Sequence, residues 1–249
     1  MAGIQSIIFI TGGNNGIGFY TCNLLASTSN YHVIMGSRSL EKGQKALADI
    51  QSQNPSSSIS LVQIDITSDS SIASAVQEVK AKYGRLDVLI NNAGICPVTF
   101  SRDILRETLE INTTSPAIVT ESFTPLLRNS RHPRVIYVSS TLRSIGIRSD
   151  PNSRVRSEDY KAYRISKAAL NMLTACDAWE YEKDGFKVFA YCPGYVVTDL
   201  AGMRDEKLKQ GAATPERSAR GLLAIAEGKR DLEAGKFLHG EASGMVYPW

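Results

Sequence analysis

The chain has 249 residues, 28 Lys+Arg against 25 Asp+Glu for a net charge of +3, and it is 43% apolar and 21% charged. These proportions describe a folded globular chain long enough to bury a full core, and they exclude a disordered or collagen-like one. Basic residues are scattered and not striped, so nucleic acid is not an expected partner.

Apolar β-branched runs alternate with helical patterns along the chain. Ser6–Ile10 reads as a buried strand and residues 16–29 as a helix. Tyr31–Met35 is a second strand, and Leu40–Gln53 a helix with Leu40, Ala46, Leu47 and Ile50 on its apolar side. Ile59–Ile64 is a third strand, followed by a helix over Asp69–Tyr83. Leu86–Ile90 is a fourth strand, and one long helix is expected over Asp103–Leu127. Arg134–Val138 is a fifth strand, Asp159–Glu182 a second long helix, and Lys187–Tyr191 a sixth strand. Thr214, Pro215 and Glu216 form a helix start that Gly228 would end. Gly235–Leu238 is a last strand. This alternation predicts an α/β, doubly wound Rossmann fold: a mostly parallel seven-stranded sheet with helices on both faces. No linker divides residues 1–249, so a single domain is expected.

The cysteines Cys22, Cys96, Cys176 and Cys192 form no Cys-x-x-Cys pair, and reduced thiols are expected. His32, His132 and His239 lie far apart, so no metal site is expected. Apolar runs such as Ile7–Ile10 fall far short of the ~20 residues that span a bilayer, and no secretory signal pattern is present. The expectation is a cytoplasmic protein with no membrane partner.

The first strand runs into Thr11-Gly12-Gly13-Asn14-Asn15-Gly16-Ile17-Gly18 and then a helix. Glycine here permits positive φ and close backbone approach, and a helix N-terminus offers N–H groups to a pyrophosphate. A glycine-rich turn without a ligand is the plain alternative. The second strand leads into Ser37-Arg38-Ser39, where an acid would bind the ribose 2′-hydroxyl of NAD. An arginine suits a 2′-phosphate instead, unless Arg38 is simply a solvated surface residue. Ser37 and Arg38 therefore point to NADP(H), with NAD(H) possible in its place.

At this point the chain resembles the short-chain dehydrogenase/reductase family over nearly all its length. The resemblance rests on the glycine turn, Asp65, Asn91-Asn92-Ala93-Gly94, Asn112, Ser139-Ser140, Tyr163-Arg164-Ile165-Ser166-Lys167 and Pro193-Gly194-Tyr195-Val196-Val197-Thr198, in that order. It implies that Asp65 and Ile66 contact an adenine, and that Asn92, Ala93 and Gly94 support the glycine turn and line the adenosine ribose. Gly12, Asn14, Asn15, Gly16, Ile17 and Gly18 would cradle the cofactor. Pro193, Gly194, Val196 and Thr198 would hold the nicotinamide.

Among ten tyrosines only Tyr163 has a lysine four residues on; on a helix that spacing puts both on one face. A nearby ammonium favours the phenolate and should lower its pKa. The resemblance implies that Tyr163 exchanges a proton with the substrate oxygen, that Lys167 also holds the ribose hydroxyls, and that Ser140 hydrogen-bonds the substrate oxygen. Asn112 precedes Pro116 by four residues. Proline has no N–H, so the Asn112 carbonyl loses its helical donor and could accept from a water. A kink with no chemical role is the alternative.

Twenty-three positions separate Ser140 from Tyr163, an excess of roughly ten over the spacing the resemblance implies. Four arginines, Arg143, Arg148, Arg154 and Arg156, lie in this inserted stretch. Substrate-side loops are expected near 141–158 and 199–214. The reading that results is an NADPH-dependent carbonyl reductase or alcohol dehydrogenase acting on a small ketone or aldehyde, assembled as a homodimer or homotetramer. A non-catalytic dinucleotide-binding sensor or scaffold, and a cofactor-assisted isomerase or cyclase, are the alternatives.

Overall fold

The strands are apolar on both faces, which places them inside a parallel sheet covered on both sides. A computed structural model describes residues 5–153, 159–202, 204–240 and 245–249. The strands are β1 (Ser6–Ile10), β2 (Tyr31–Ser37), β3 (Ile59–Gln63), β4 (Val88–Asn91), β5 (Arg134–Val138), β6 (Lys187–Cys192), β7 (Phe237–His239) and β8 (Val246–Tyr247). They form one sheet in the order β3-β2-β1-β4-β5-β6-β7-β8. All neighbours are parallel except β7 and β8. Among the described residues the sheet thus has eight strands where seven are expected. The eighth is only two residues, too short to show a period of its own, and it exists because it pairs antiparallel with β7.

The helices are α1 (Gly16–Ala26), α2 (Leu40–Gln53), α3 (Asp69–Tyr83), α4 (Arg102–Leu109), α5 (Ser115–Leu127), α6 (Ile145–Ser149), α7 (Lys161–Glu180), α8 (Arg204–Lys209) and α9 (Pro215–Ala226). Side-chain oxygens of Ser39, Ser68 and Ser101 accept backbone N–H groups at the starts of α2, α3 and α4. The first helix stops at Ala26, short of the expected residue 29. The long helix expected over Asp103–Leu127 is two helices joined by a π turn over Glu110–Thr114, where the Ser115 N–H bonds the Glu110 carbonyl. Pro116 explains the widening: it cannot donate to Asn112, so the i→i−4 ladder is interrupted.

Strand residues alternate between two cores. Ile8, Ile10, Val33, Met35 and Phe189 pack with Leu25 of α1, Ile50 of α2 and Leu222 of α9. Ile7, Phe9, Ile34, Leu89 and Tyr137 pack with Val79 of α3, Phe123 of α5 and Leu170 of α7. Fully burying one such side chain contributes about 1.5–3 kcal/mol. The strand order reverses between β1 and β4, and in open parallel sheets ligands bind at the C-terminal ends of the strands where this occurs.

Arg154, Val155 and Arg156 of the inserted stretch, and Met203 of the 199–214 loop, lie outside the described residues. Of the inserted stretch, Thr141–Arg143 forms a 3-10 turn and α6 follows it. Among the described residues no helix is long and apolar enough to cross a membrane, and no cluster could hold a metal ion.

Candidate active site

The ends of β1 and β4 are stitched together. The Thr11 hydroxyl oxygen accepts the Asn92 and Ala93 N–H groups at 3.0 and 3.1 Å. Asn92 Nδ2 donates to the Thr11 carbonyl at 2.9 Å and to the Gly12 carbonyl at 3.2 Å. Gly12 has φ 63° and Gly16 φ 54°, a region that favours glycine. Asn15 Oδ1 accepts the Gly16 N–H at 2.7 Å and caps α1. Gly18 is buried beneath this turn, and a Cβ there would stand 2.3 Å from the Gly12 oxygen.

A cleft of about 480 Å³ opens above the turn. Gly12, Asn14, Asn15, Gly16 and Ile17 form its floor; Arg38, Asp65 and Ile66 line it from β2 and β3. Asn92, Ala93 and Gly94 line it after β4, and Tyr163, Lys167, Pro193 and Thr198 complete it. Other expected residues stand off this lining. Ser37 is buried and donates to the Ser39 carbonyl at 2.9 Å. Val196 bridges Ala213, and Gly194 turns the chain at φ 84°. The Asp65 carboxylate accepts the Thr67 N–H at 3.0 Å and its hydroxyl at 2.8 Å. The Thr67 N–H bond holds its pKa below the usual carboxylate range, with the Thr67 hydroxyl and Arg38 adding to the effect against partial burial.

Ser139 and Ser140 diverge. Ser139 Oγ donates to Asn171 Oδ1 at 2.6 Å, whereas the Ser140 hydroxyl faces the Tyr163 phenol and favours its ionised form. Tyr163 is buried. Burial pushes the phenol above its ordinary range, and the Ser140 hydroxyl only partly opposes this. Lys167 does not produce the lowering expected from sequence. Its Nζ lies 5.7 Å from the Tyr163 ring centroid and donates to the Val138 carbonyl at 2.7 Å, and burial sets the direction of the phenol's shift. Burial also pushes the Lys167 ammonium down, to about 8.

Asn112 is fully buried behind the cleft. Its Oδ1 accepts the Ile95 N–H at 2.8 Å, and its Nδ2 donates to the Ile95 carbonyl at 2.8 Å and to Ser166 Oγ at 3.0 Å. The side chain therefore ties the segment after β4 to α7, a role distinct from that of its backbone carbonyl. The sequence reading missed cleft residues Thr67, Ile95, Ile111 and Val138, whereas Asp199 and Leu200 belong to the expected substrate-side loop near 199–214. Thr67 had a local signal, since Asp-x-Thr is an Asx-turn pattern; Ile111 had none, because only the π turn aims it inward.

A short chain dehydrogenase family model matches residues 6–209. A short-chain dehydrogenase, anuI, of Penicillium roqueforti is 35% identical over 98% of each chain. The chain belongs to the short-chain dehydrogenase family. A (+)-neomenthol dehydrogenase of Arabidopsis thaliana is 30% identical, over 84% of this chain and 90% of that one. The solved structure of an NADPH-bound carbonyl reductase from chicken fatty liver superposes with a TM-score of 0.84 at 28% identity, covering 99% of this short-chain dehydrogenase and 100% of that chain. The family comprises oxidoreductases that bind NAD(P)(H) and act on CH–OH or C=O groups. The cleft of this short-chain dehydrogenase fits such a cofactor: it runs from Arg38 past the α1 N-terminus to Lys167, over a turn that Gly12 and Gly16 hold at positive φ.

Proposed function

We propose that the chain is an NADPH-dependent carbonyl reductase, and in reverse an alcohol dehydrogenase, for an organic ketone or aldehyde. The observation that carries this reading is the buried Tyr163 phenol, faced by Ser140 and one helical turn from Lys167, on the wall of the cleft. When bound, the nicotinamide dinucleotide supplies the hydride exchanged with the carbonyl carbon. Tyr163 is protonated at neutral pH, so its Oη can deliver the proton that the substrate oxygen takes up. Ser140 donates to the same oxygen. Below about pH 8 Lys167 is an ammonium with donors beyond its Val138 bond, and these hold the ribose hydroxyls. Asn112 keeps the Ile95 segment and α7 in register.

Arg38 is the basis for preferring NADPH: it lines the cleft between Ser37 and Ser39, with no acid in the position that would repel a 2′-phosphate. Asp65 and Ile66 take the adenine, and Pro193, Gly194, Val196 and Thr198 the nicotinamide. The NADPH in the chicken fatty liver enzyme and the dehydrogenase named for neomenthol support the cofactor and the reaction class. A homo-oligomer is part of the reading. Ile165, Met172 and Trp179 stand exposed at 40, 66 and 80% and at seven-residue spacing on α7, an apolar stripe suited to a second copy.

The test is a panel of ketones and aldehydes with NADPH consumption and product analysis. Stoichiometric alcohol product supports the reading; tight NADPH binding with no turnover, or rearranged product without NADPH consumption, overturns it.

A further inference from the structure

The inserted stretch between Ser140 and Tyr163 is the feature the reaction leaves unexplained. Added chain at this point threatens the chemistry, because any shift in its path reaches Ser140 at one end and Tyr163 at the other. Its two ends meet on one side chain. Arg164 Nη1 donates to the Leu142 carbonyl at 3.1 Å, and Arg164 Nε donates to the Asp159 carbonyl at 3.1 Å. Arg164 is 8% exposed and sits in the first turn of α7, where the helix dipole disfavours a cation. Carbonyl acceptors from outside the helix offset both penalties.

The Leu142 backbone carries the connection onward, through the two peptide groups that meet at its Cα. Its carbonyl is held by Arg164, and its N–H donates to Ser140 Oγ at 3.2 Å. Ser140 in turn faces the Tyr163 phenol, and Tyr163 is next to Arg164 in the chain. Arg164, Leu142 and Ser140 are thus linked in sequence, with Tyr163 beside both ends of the run. Arg143, also buried, anchors the same turn from the far side, with its guanidinium 4.5 Å from the centroid of the Phe237 ring and its Nη2 donating to the Pro248 carbonyl.

We propose that Arg164 is a positioning residue for Ser140: it staples both ends of the inserted stretch to α7 and, through the Leu142 backbone, fixes the Ser140 hydroxyl against Tyr163. This rests on the reading of Ser140 and Tyr163 as a catalytic pair. The other titratable groups close to the phenol are Lys167, Cys96 after β4 and Cys192 at the end of β6; Arg164 acts through none of them.

The experiment compares Arg164→Met, Arg164→Lys, Ser140→Ala and the Arg164→Met/Ser140→Ala double variant. The readouts are amide hydrogen exchange at Leu142 in the free protein, kcat with NADPH and 9,10-phenanthrenequinone as the probe carbonyl, and NADPH affinity. Arg164→Met is expected to speed Leu142 exchange and lower kcat, each about tenfold for the loss of a charge-assisted bond, with NADPH affinity within about twofold. In the Ser140→Ala background the same substitution should change kcat less than about twofold, because the group it positions is gone. A full tenfold loss in that background, or unchanged Leu142 exchange, overturns the proposal. If Ser140→Ala alone keeps wild-type kcat, the catalytic reading of Ser140 falls and the proposal with it. If Ser140→Ala is slow but Arg164→Met keeps wild-type kcat and exchange, only the staple falls. Should the methionine variant not fold, Arg164→Lys decides: one donor group in place of a fork should give intermediate exchange and kcat, and wild-type values refute the staple. Should the probe not be reduced by the wild type, Leu142 exchange decides by itself.

Discussion

Gly18→Ala tests whether the cofactor turn is held by close packing or by glycine flexibility. Gly18 lies inside α1, where an alanine would ordinarily stabilise the helix by about 1 kcal/mol. Here a Cβ would meet the Gly12 oxygen at 2.3 Å and Asn92 Nδ2 at 2.5 Å. Neither neighbour can give way, because Asn92 Nδ2 already bonds the Thr11 and Gly12 carbonyls. Overpacking of this kind costs about 1–3 kcal/mol, and loss of the Asn92–Gly12 bond about 1 more. Set against the helix gain, the net destabilisation is about 1–3 kcal/mol, a fall of roughly 3–10 °C in Tm for a chain of this size. The displaced turn should also weaken NADPH binding at least tenfold. Gly84→Ala is the control: φ is 67° with open space around it, so backbone strain alone lowers Tm while NADPH affinity stays unchanged. Thermal unfolding and NADPH titration read both. A Gly18→Ala protein with wild-type Tm and wild-type affinity refutes the packing argument.

Tyr163→Phe should lower reduction by about 10²–10⁴-fold and leave NADPH affinity nearly unchanged; near-normal turnover with chemistry rate-limiting would place the proton donor elsewhere. Arg38→Ala should weaken NADPH by about 1.5–3 kcal/mol, the worth of charge-assisted bonds, and leave NADH affinity alone; equal wild-type affinities for the two cofactors contradict the assignment. Asp177 is raised to about 6, chiefly by burial, although it accepts the Tyr137 hydroxyl. A raised carboxyl binds protons more readily folded than unfolded, so its contribution to stability falls as pH rises from about 4 through 6. Asp177→Asn should remove that slope, and urea melts at pH 4 and 7 that show the same difference from wild type would disprove it. Light scattering should find a dimer or tetramer that Trp179→Arg dissociates; a wild-type monomer at every concentration rules out the oligomer.

The parallel order of the sheet was legible because strand and helix patterns alternate and strand residues are apolar on both faces. The cofactor turn was legible because glycine leaves a local mark. The Tyr163 and Lys167 pairing was legible because helix geometry converts a four-residue spacing into proximity. Interactions between distant segments left no such mark. Nothing local distinguishes β8 until β7 is beside it, and the π turn at Glu110–Thr114 depends on Pro116 and on the space into which Ile111 turns. The Tyr163 phenol departs from the sequence expectation for the same reason. Spacing brings Lys167 near the phenol, but burial by the surrounding layers, which only the folded chain supplies, decides the direction of the shift. In the sequence Arg164 is only one link of the Tyr163–Lys167 motif. Its role exists only where the chain returns and presents the Leu142 and Asp159 carbonyls to one guanidinium, because hydrogen bonds between segments far apart in sequence are set by the path of the backbone and not by residue type.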